Sequence, residues 1–330
     1  MSSTRSERMA RAMTSLQGLS VGDAFGEGFF MNWDIIRNLI NAGDVAGPPY
    51  DFTDDEVMAR LISLRRTPNK TPWKWTDDTA MALSIVNVLK ECGEILPDKL
   101  ARNFGEQFVL EPVRGYGGAM HELLPKLAIG EDWSALAQGL FDGKGSWGNG
   151  AAMRVAPIGA YFADDLETVV ENARHSALVT HAHPEAVAGA IAVAVAAAIA
   201  CQMREGGADE FDGREYLNRV LESVPQSAVR DGIKFARGMI DDASVEEAAT
   251  TLGCGHEISA QDTVPFVLWC AATELDHFDE ALWLTVAGLG DRDTTCAMVG
   301  GIVACYSGEE AIPEEWLKNR EEFPGWFLDA

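Results

Sequence analysis

The sequence predicts an all-α protein folded as a single domain, and three observations predict it. Residues 186–201 are an unbroken run of Ala, Val, Ile, Gly and Cys bracketed by Glu185 and Gln202. A helix apolar on every side belongs at the centre of a helical protein. Residues Ala80–Cys92 carry apolar side chains at 81, 85, 88 and 89, which is one helix face. Finally, no alternating apolar and polar stretch recurs with hairpin turns, so strand signals are scarce.

Each further element has its own local signal. Gly18-Leu19-Ser20-Val21-Gly22-Asp23-Ala24-Phe25-Gly26-Glu27 suits a closely packed first helix, with Asp23 and Glu27 one turn apart. Pro184 fits the first turn of the alanine-rich helix, where a missing N–H costs nothing. Ser244-Val245-Glu246-Glu247 is a capping box. Residues 262–275 and 295–306 also read as helices. Irregular stretches are expected at 41–56, 66–75, 141–150 and 204–214. None is long or biased enough to link two domains, and no repeat is visible, so residues 1–330 are expected to form one unit.

Composition excludes several function classes. Of 330 residues, 47% are hydrophobic, enough for a large core, and the net charge is -25. Sequence-independent nucleic-acid binding needs clustered Lys and Arg, which this balance opposes. The sixteen-residue apolar run is shorter than a bilayer span, so no membrane association is expected. Six cysteines form no C-x-x-C pair, and several stand among small apolar residues. They read as reduced core thiols of a cytoplasmic protein. Arg5, Arg8 and Arg11 precede no apolar segment with a cleavage site, so no export signal is expected.

Two carboxylate clusters carry the chemistry. Thr76-Asp77-Asp78-Thr79 and Asp291-Arg292-Asp293-Thr294 each join Asp to hydroxyls and open an apolar stretch. Carboxylates this close repel, and a cation is a natural way to hold them. Oxygen donors without a supporting Cys or His pair favour Mg²⁺, Mn²⁺ or Ca²⁺ over Zn²⁺. A plain helix N-cap with acidic first-turn residues is the alternative for the first cluster. No twelve-residue loop ending in Glu follows the second, which sets it apart from calcium loops. Small residues at 297, 300, 301, 304 and 308 would let a neighbouring helix come close. If folding brings the clusters face to face, they form a two-metal site.

Two more segments add to this. Gly143-Lys144-Gly145-Ser146-Trp147-Gly148-Asn149-Gly150 is glycine-rich and could be a turn or a diphosphate cradle of backbone amides. Phe141 and Trp147 could stack on a base or pack in the core. Thr180-His181-Ala182-His183-Pro184 offers two imidazoles, better suited to a hydrogen bond with a ligand hydroxyl or phosphate than to zinc without a third ligand.

In this order the motifs resemble those of the ADP-ribosylglycohydrolase family, which includes the dinitrogenase reductase-activating glycohydrolase. The matching stretches are G-D-A-F-G at 22–26, W-T-D-D-T at 75–79, S-W-G-N-G-A-A-M-R at 146–154, T-H-A-H-P at 180–184 and D-R-D-T at 291–294. The resemblance implies a compact, orthogonally packed helical bundle with two Mg²⁺ or Mn²⁺ ions. It implies Thr76, Asp77, Asp78, Asp291, Asp293 and Thr294 as metal ligands, with Asp293 bridging. Gly145, Ser146, Trp147, Gly148, Asn149 and Gly150 would hold the diphosphate, with Met153 of the same motif beside them. His181 would reach the ligand near the diphosphate and ribose. Phe141, Tyr116 and Gly117 would line the adenosine side.

The implied activity is hydrolysis of the glycosidic bond at the distal ribose of ADP-ribose or of an ADP-ribosylated protein or small molecule. Arginine is the expected attachment, with serine-linked and O-acetyl-ADP-ribose as alternatives. A two-metal phosphohydrolase and an inactive metal-binding relative are the rival classes. Two positions depart from the family pattern. Leu289 and Arg292 interrupt the usual Gly-Gly-Asp-Thr-Asp-Thr, so Arg292 either adds charge beside the cations or turns away to pair with an acid. Phe30 stands seven residues after Asp23, where some relatives carry a catalytic Glu. Asp293 or the nearby Glu27 is therefore expected to take the proton.

Overall fold

The computed structural model describes residues 3–30, 54–67, 71–207 and 211–328. The irregular stretch expected at 41–56 lies outside them up to residue 53. Seventeen α-helices are described: α1 Arg5–Glu27, α2 Asp54–Ser63, α3 Asp77–Cys92, α4 Pro97–Leu110, α5 Met120–Ala128, α6 Trp133–Gly143, α7 Ala156–Tyr161, α8 Leu166–Leu178, α9 Pro184–Gly206, α10 Gly213–Ser223, α11 Ala228–Met239, α12 Val245–Leu252, α13 Ala260–Thr273, α14 Phe278–Val286, α15 Arg292–Ser307, α16 Glu314–Asn319 and α17 Gly325–Leu328. Among the described residues, extended pairing is limited to isolated bridges, Trp73 with Arg320 and Gly148 with Ser259. The all-α expectation holds.

Helix α9 is long and apolar enough to cross a membrane by length and composition, yet residues 186–201 are all buried among other helices. It packs on α7, α8, α10, α13 and α15. His183 caps its first turn by accepting the Glu185 N–H, and Pro184 follows, as its sequence suggested. The capping box at Ser244 and Glu247 is formed on α12. Three boundaries shift. The helix expected from Ala80 begins at Asp77, which puts Asp77 and Asp78 in its first turn. The helix expected from 295 begins at Arg292, with Asp291 as its cap residue. The one expected over 262–275 runs over Ala260–Thr273.

The α1–α15 pair decides where the site forms. These helices run antiparallel with almost no side-chain spacer between them. A Cβ on Gly18 would come 2.3 Å from Gly300 O, one on Gly22 2.0 Å from Cys296 O, and one on Gly26 2.2 Å from Arg292 O. Only glycine at those three positions of α1 allows the approach. The small-residue face foreseen on α15 thus meets a matching face on α1, and it sets Asp23 beside Asp293.

Candidate active site

Three carboxylates from three helices, two buried and one half-buried, form the centre. Oxygens of Asp23 on α1, Asp78 on α3 and Asp293 on α15 all lie within 4.8 Å of one another. Asp23 is fully engaged by protein groups: its carboxylate accepts from Thr76 N at 3.1 and 3.0 Å, Thr76 Oγ1 at 2.9 Å, Thr79 N at 3.0 Å and Thr79 Oγ1 at 2.6 Å. The first turn of α3 has no side-chain cap of its own, and Asp23 caps it from α1. In the sequence Asp23 stands one turn from Glu27 on the first helix and is not singled out as part of the carboxylate centre. Its place in the small-residue stretch Gly22–Gly26 was the available signal for close contact with another helix.

Around this centre the two clusters meet as expected. Thr76 Oγ1 lies 3.0 Å and Thr294 Oγ1 3.5 Å from Asp78 Oδ2. Asp293 Oδ1 accepts the Thr294 N–H at 2.8 Å. Asn149 Nδ2 donates to Asp291 Oδ2 at 2.7 Å and to Thr263 Oγ1 at 3.2 Å, tying the glycine-rich segment to the second cluster. Asp78 Oδ1 is buried with no hydrogen-bond partner. An orphaned buried carboxylate oxygen amid other carboxylates and hydroxyls fits a hard divalent cation.

The electrostatics agree. Burial pushes the Asp23 carboxyl up to about 6 against its hydrogen bonds. Burial and Asp23 push Asp77 up to about 7. Burial and the neighbouring acids hold Asp78 and Asp293 well above the usual carboxylate range. Burial and Asp23 raise Glu27 to about 7. Without positive charge these groups keep protons; a cation would replace them.

A cavity of about 430 Å³ opens against the cluster. Of the residues expected in the site, Asp77, Asp291, Asp293, Thr294, Gly117, Phe141, Ser146, Trp147, Gly148, Asn149, Gly150, Met153 and His181 line it. Thr76 and Asp78 lie behind this wall, within the carboxylate centre. Tyr116 does not line the cavity: it is buried, its ring 5.0 Å from Phe108 and edge-on to it, because the glycines beside it form the wall instead. Gly145 is also behind the wall, where a Cβ would meet His183 N at 2.8 Å. The expected amide cradle is partly committed, since Gly148 N donates to Ser146 Oγ and Asn149 N to Ile258 O.

Glu257 and Ile258 were not anticipated in the cavity wall. Ile258 has φ 53° and an exposed side chain, and Phe141, also exposed, has φ 51°. Such strained non-glycine residues cluster at functional sites. The 141–143 turn and the 255–258 turn form two lips, the second held by Asn149 N and by Ala260 N donating to Trp147 O. No repeating pattern marks Ile258 in the sequence, because its role comes from that pairing.

His181 is buried at the cavity wall. Thr180 Oγ1 accepts from Arg154 Nη2 at 2.8 Å and lies 2.7 Å from His181 Nδ1. The hydroxyl, which accepts from the guanidinium, has its own proton available for Nδ1. Burial and Arg154 push the imidazole down to about 3, so it is neutral. In the arrangement where Thr180 donates to Nδ1, the ring proton is on Nε2, the nitrogen beside Gly148 and Gly150. Arg154 is itself fully buried, donates to Ser176 O at 2.9 Å and lies 4.6 Å over the Phe104 ring. Arg292 turns away from the carboxylates: Nη1 donates to Phe29 O at 3.3 Å, and the guanidinium lies 5.5 Å over the Phe30 ring.

Comparison with known proteins agrees with this architecture. The sequence profile described as ADP-ribosylglycohydrolase matches residues 4–329. The ADP-ribosylhydrolase ARH3 of Xenopus tropicalis is 32% identical, covering 96% of this chain and 92% of its own. The human ADP-ribosylhydrolase ARH3 is 29% identical over 85% of this chain and 86% of its own. The ADP-ribosylarginine hydrolase Tri1 of Serratia proteamaculans is 23% identical over 94% of this chain and 75% of its own. A solved structure titled ADP-ribosylglycohydrolase-related protein complex shares the fold, with a TM-score of 0.62 at 23% identity over 96% of this chain and 94% of that one. The chain belongs to the ADP-ribosylglycohydrolase family.

Proposed function

We propose that this protein hydrolyses the glycosidic bond at C1 of the distal ribose in ADP-ribosylated substrates, with protein-linked ADP-ribosyl-arginine the first candidate. The observation that carries the reading is the convergence of Asp23 and Asp78 with Asp293, which lines the cavity. The arginine linkage is supported by the activity named for the Serratia relative.

Thr76, Asp77, Asp78, Asp291, Asp293 and Thr294 would hold two divalent cations, Mg²⁺ or Mn²⁺. Bound there, such ions supply Lewis acidity and lower the pKa of water. The chain does the rest. His181 Nε2–H donates a hydrogen bond into the cavity, and its neutrality keeps it a donor without adding charge. Phe141 and Ile258 offer apolar surface to a planar group, and Gly117 and Gly118 line the cavity without side chains of their own. Cleavage at an anomeric carbon passes through an oxocarbenium-like state, and the clustered carboxylates favour that developing positive charge. Glu27, raised to about 7, can exchange a proton near neutral pH, as a general acid or base requires. Asp293 is the alternative proton acceptor, and binding of cations would lower its proton affinity.

The test is incubation with Mg²⁺ or Mn²⁺ and arginine-, serine- and acetyl-linked ADP-ribose, followed by product analysis. Free ADP-ribose from any arm supports the reading, and the fastest arm assigns the linkage. AMP as the product would make the protein a phosphohydrolase, and no product from any arm would overturn hydrolysis.

A further inference from the structure

Cys201 on α9 and Cys305 on α15 sit where the last turns of these central helices adjoin. Both are free thiols with 3% exposure. Cys305 Sγ donates to Gly301 O at 3.2 Å. Cys201 is its neighbour across the packed α9–α15 contact, and Cys305 is the first influence on the Cys201 thiol, ahead of burial. A cavity of about 220 Å³, separate from the carboxylate site, is lined by both cysteines. Ala10, Ala304 and Gly308 keep part of that wall small, and Arg11 and Arg204 border it. A molecule the size of a hydroperoxide can therefore reach both cysteines from one cavity.

We propose that Cys201 and Cys305 are a modification site, oxidised by hydroperoxide to a disulfide that staples the ends of α9 and α15. In the first step the Cys201 sulfur attacks the peroxide, the O–O bond breaks, and Cys201 becomes a sulfenic acid with release of water. In the second, the Cys305 sulfur attacks the Cys201 sulfur, the S–O bond breaks, and a second water carries away the thiol proton. Two thiols and one hydrogen peroxide give one disulfide and two waters. The neighbouring Cys305 and burial hold the Cys201 thiol well above its usual value, so the first step is slow compared with that of an activated thiol. Asp293 precedes Cys305 by twelve residues of helix, about 18 Å at the usual rise. The staple therefore forms away from the carboxylate centre, and its readouts are independent of substrate.

The test is treatment of the full-length protein with hydrogen peroxide, then alkylation, peptide mapping and melting. Two of the six thiols should be lost, with a linked peptide pair joining Cys201 to Cys305 in a single chain. Closing a loop of about a hundred residues should raise the melting temperature by about 5 °C, reversed by dithiothreitol. Cys92→Ser should leave the link intact. Cys305→Ser should abolish it and leave Cys201 trapped as a sulfenic acid that a cyclic dione labels. All six thiols persisting in folded protein under oxidation, or linkage through other cysteines, overturns the proposal. The wild-type peptide map decides the matter even if Cys305→Ser does not fold.

Discussion

The carboxylate of Asp23, on the first helix, accepts the Thr79 hydroxyl at 2.6 Å and the Thr79 N–H at 3.0 Å, so α1 caps the helix that carries Asp77 and Asp78. Position, orientation and charge of the acidic first turn of α3 all depend on that contact. An Asp on another helix does the work usually done by the cap residue itself.

Replacing Asp23 should therefore act at a distance. In Asp23→Asn, an amide NH₂ would face donors from Thr76 and Thr79, and the lost charged hydrogen bonds should cost about 2–4 kcal/mol of stability. Affinity for Mn²⁺ should fall at least about tenfold, roughly 1.4 kcal/mol. Urea unfolding and Mn²⁺ electron paramagnetic resonance measure the two effects. Wild-type metal affinity in the variant would remove Asp23 from any positioning role.

The crowded carboxylates make a pH prediction whose sign is set by their raised values. Asp23 at about 6 and Asp77 at about 7 hold protons more tightly folded than unfolded, where an Asp titrates near 3.8. Their contribution to stability is full below the unfolded value and disappears as pH rises through 6 and 7. In chelator, the melting temperature should fall as pH goes from 4 to 7.5, and Mg²⁺ or Mn²⁺ should restore it at the upper end. A flat profile with no metal response would contradict the buried charge cluster.

Glu27 gives a kinetic prediction. Glu27→Gln should lower kcat by about 10²–10⁴ while leaving ADP-ribose binding nearly unchanged, since the lost function is proton transfer. The pH–rate limb near 7 should disappear with it. Retention of that limb would move the role to Asp293. For the ligand set, Asp77→Ala or Asp293→Ala should abolish metal-dependent release of ADP-ribose, read as free ADP-ribose by chromatography.

The glycine seam predicts a stability contrast. Gly22→Ala places a methyl 2.0 Å from Cys296 O and must part α1 from α15, so it should cost at least about 3 kcal/mol or prevent folding. Gly139→Ala, in α6 with nothing within 4 Å, should be neutral or stabilise by about 0.5–1 kcal/mol. Thermal melts of both variants give the comparison.

What was legible in the sequence follows from which features are local. The all-α class, the buried α9 and its Pro184 start, and the Ser244 capping box rest on period and caps within one segment. The acidic runs at 76–79 and 291–294 could be read as candidate ligands because each presents its groups from a single helix start. Longer-range features could not be read this way. Tyr116 looked like a cavity residue, yet it packs on Phe108 because Gly117 and Gly118 took the wall. Arg292 stood in an acidic run, and its direction was settled by Phe29 O and the Phe30 ring on another segment.

By itself, then, the chain's order of residues determined which acidic runs could offer oxygen ligands to a cation and which helix would be interior. Only the tertiary structure decided that Asp23 would serve as the shared acceptor, that Glu257 and Ile258 would form a lip, and that Cys201 would meet Cys305. The reason is physical: caps and periodicity act over a few residues, whereas helix approach is set by facing surfaces. Here glycines on α1 let the backbone of α15 come within contact distance, and that approach brings the carboxylates together.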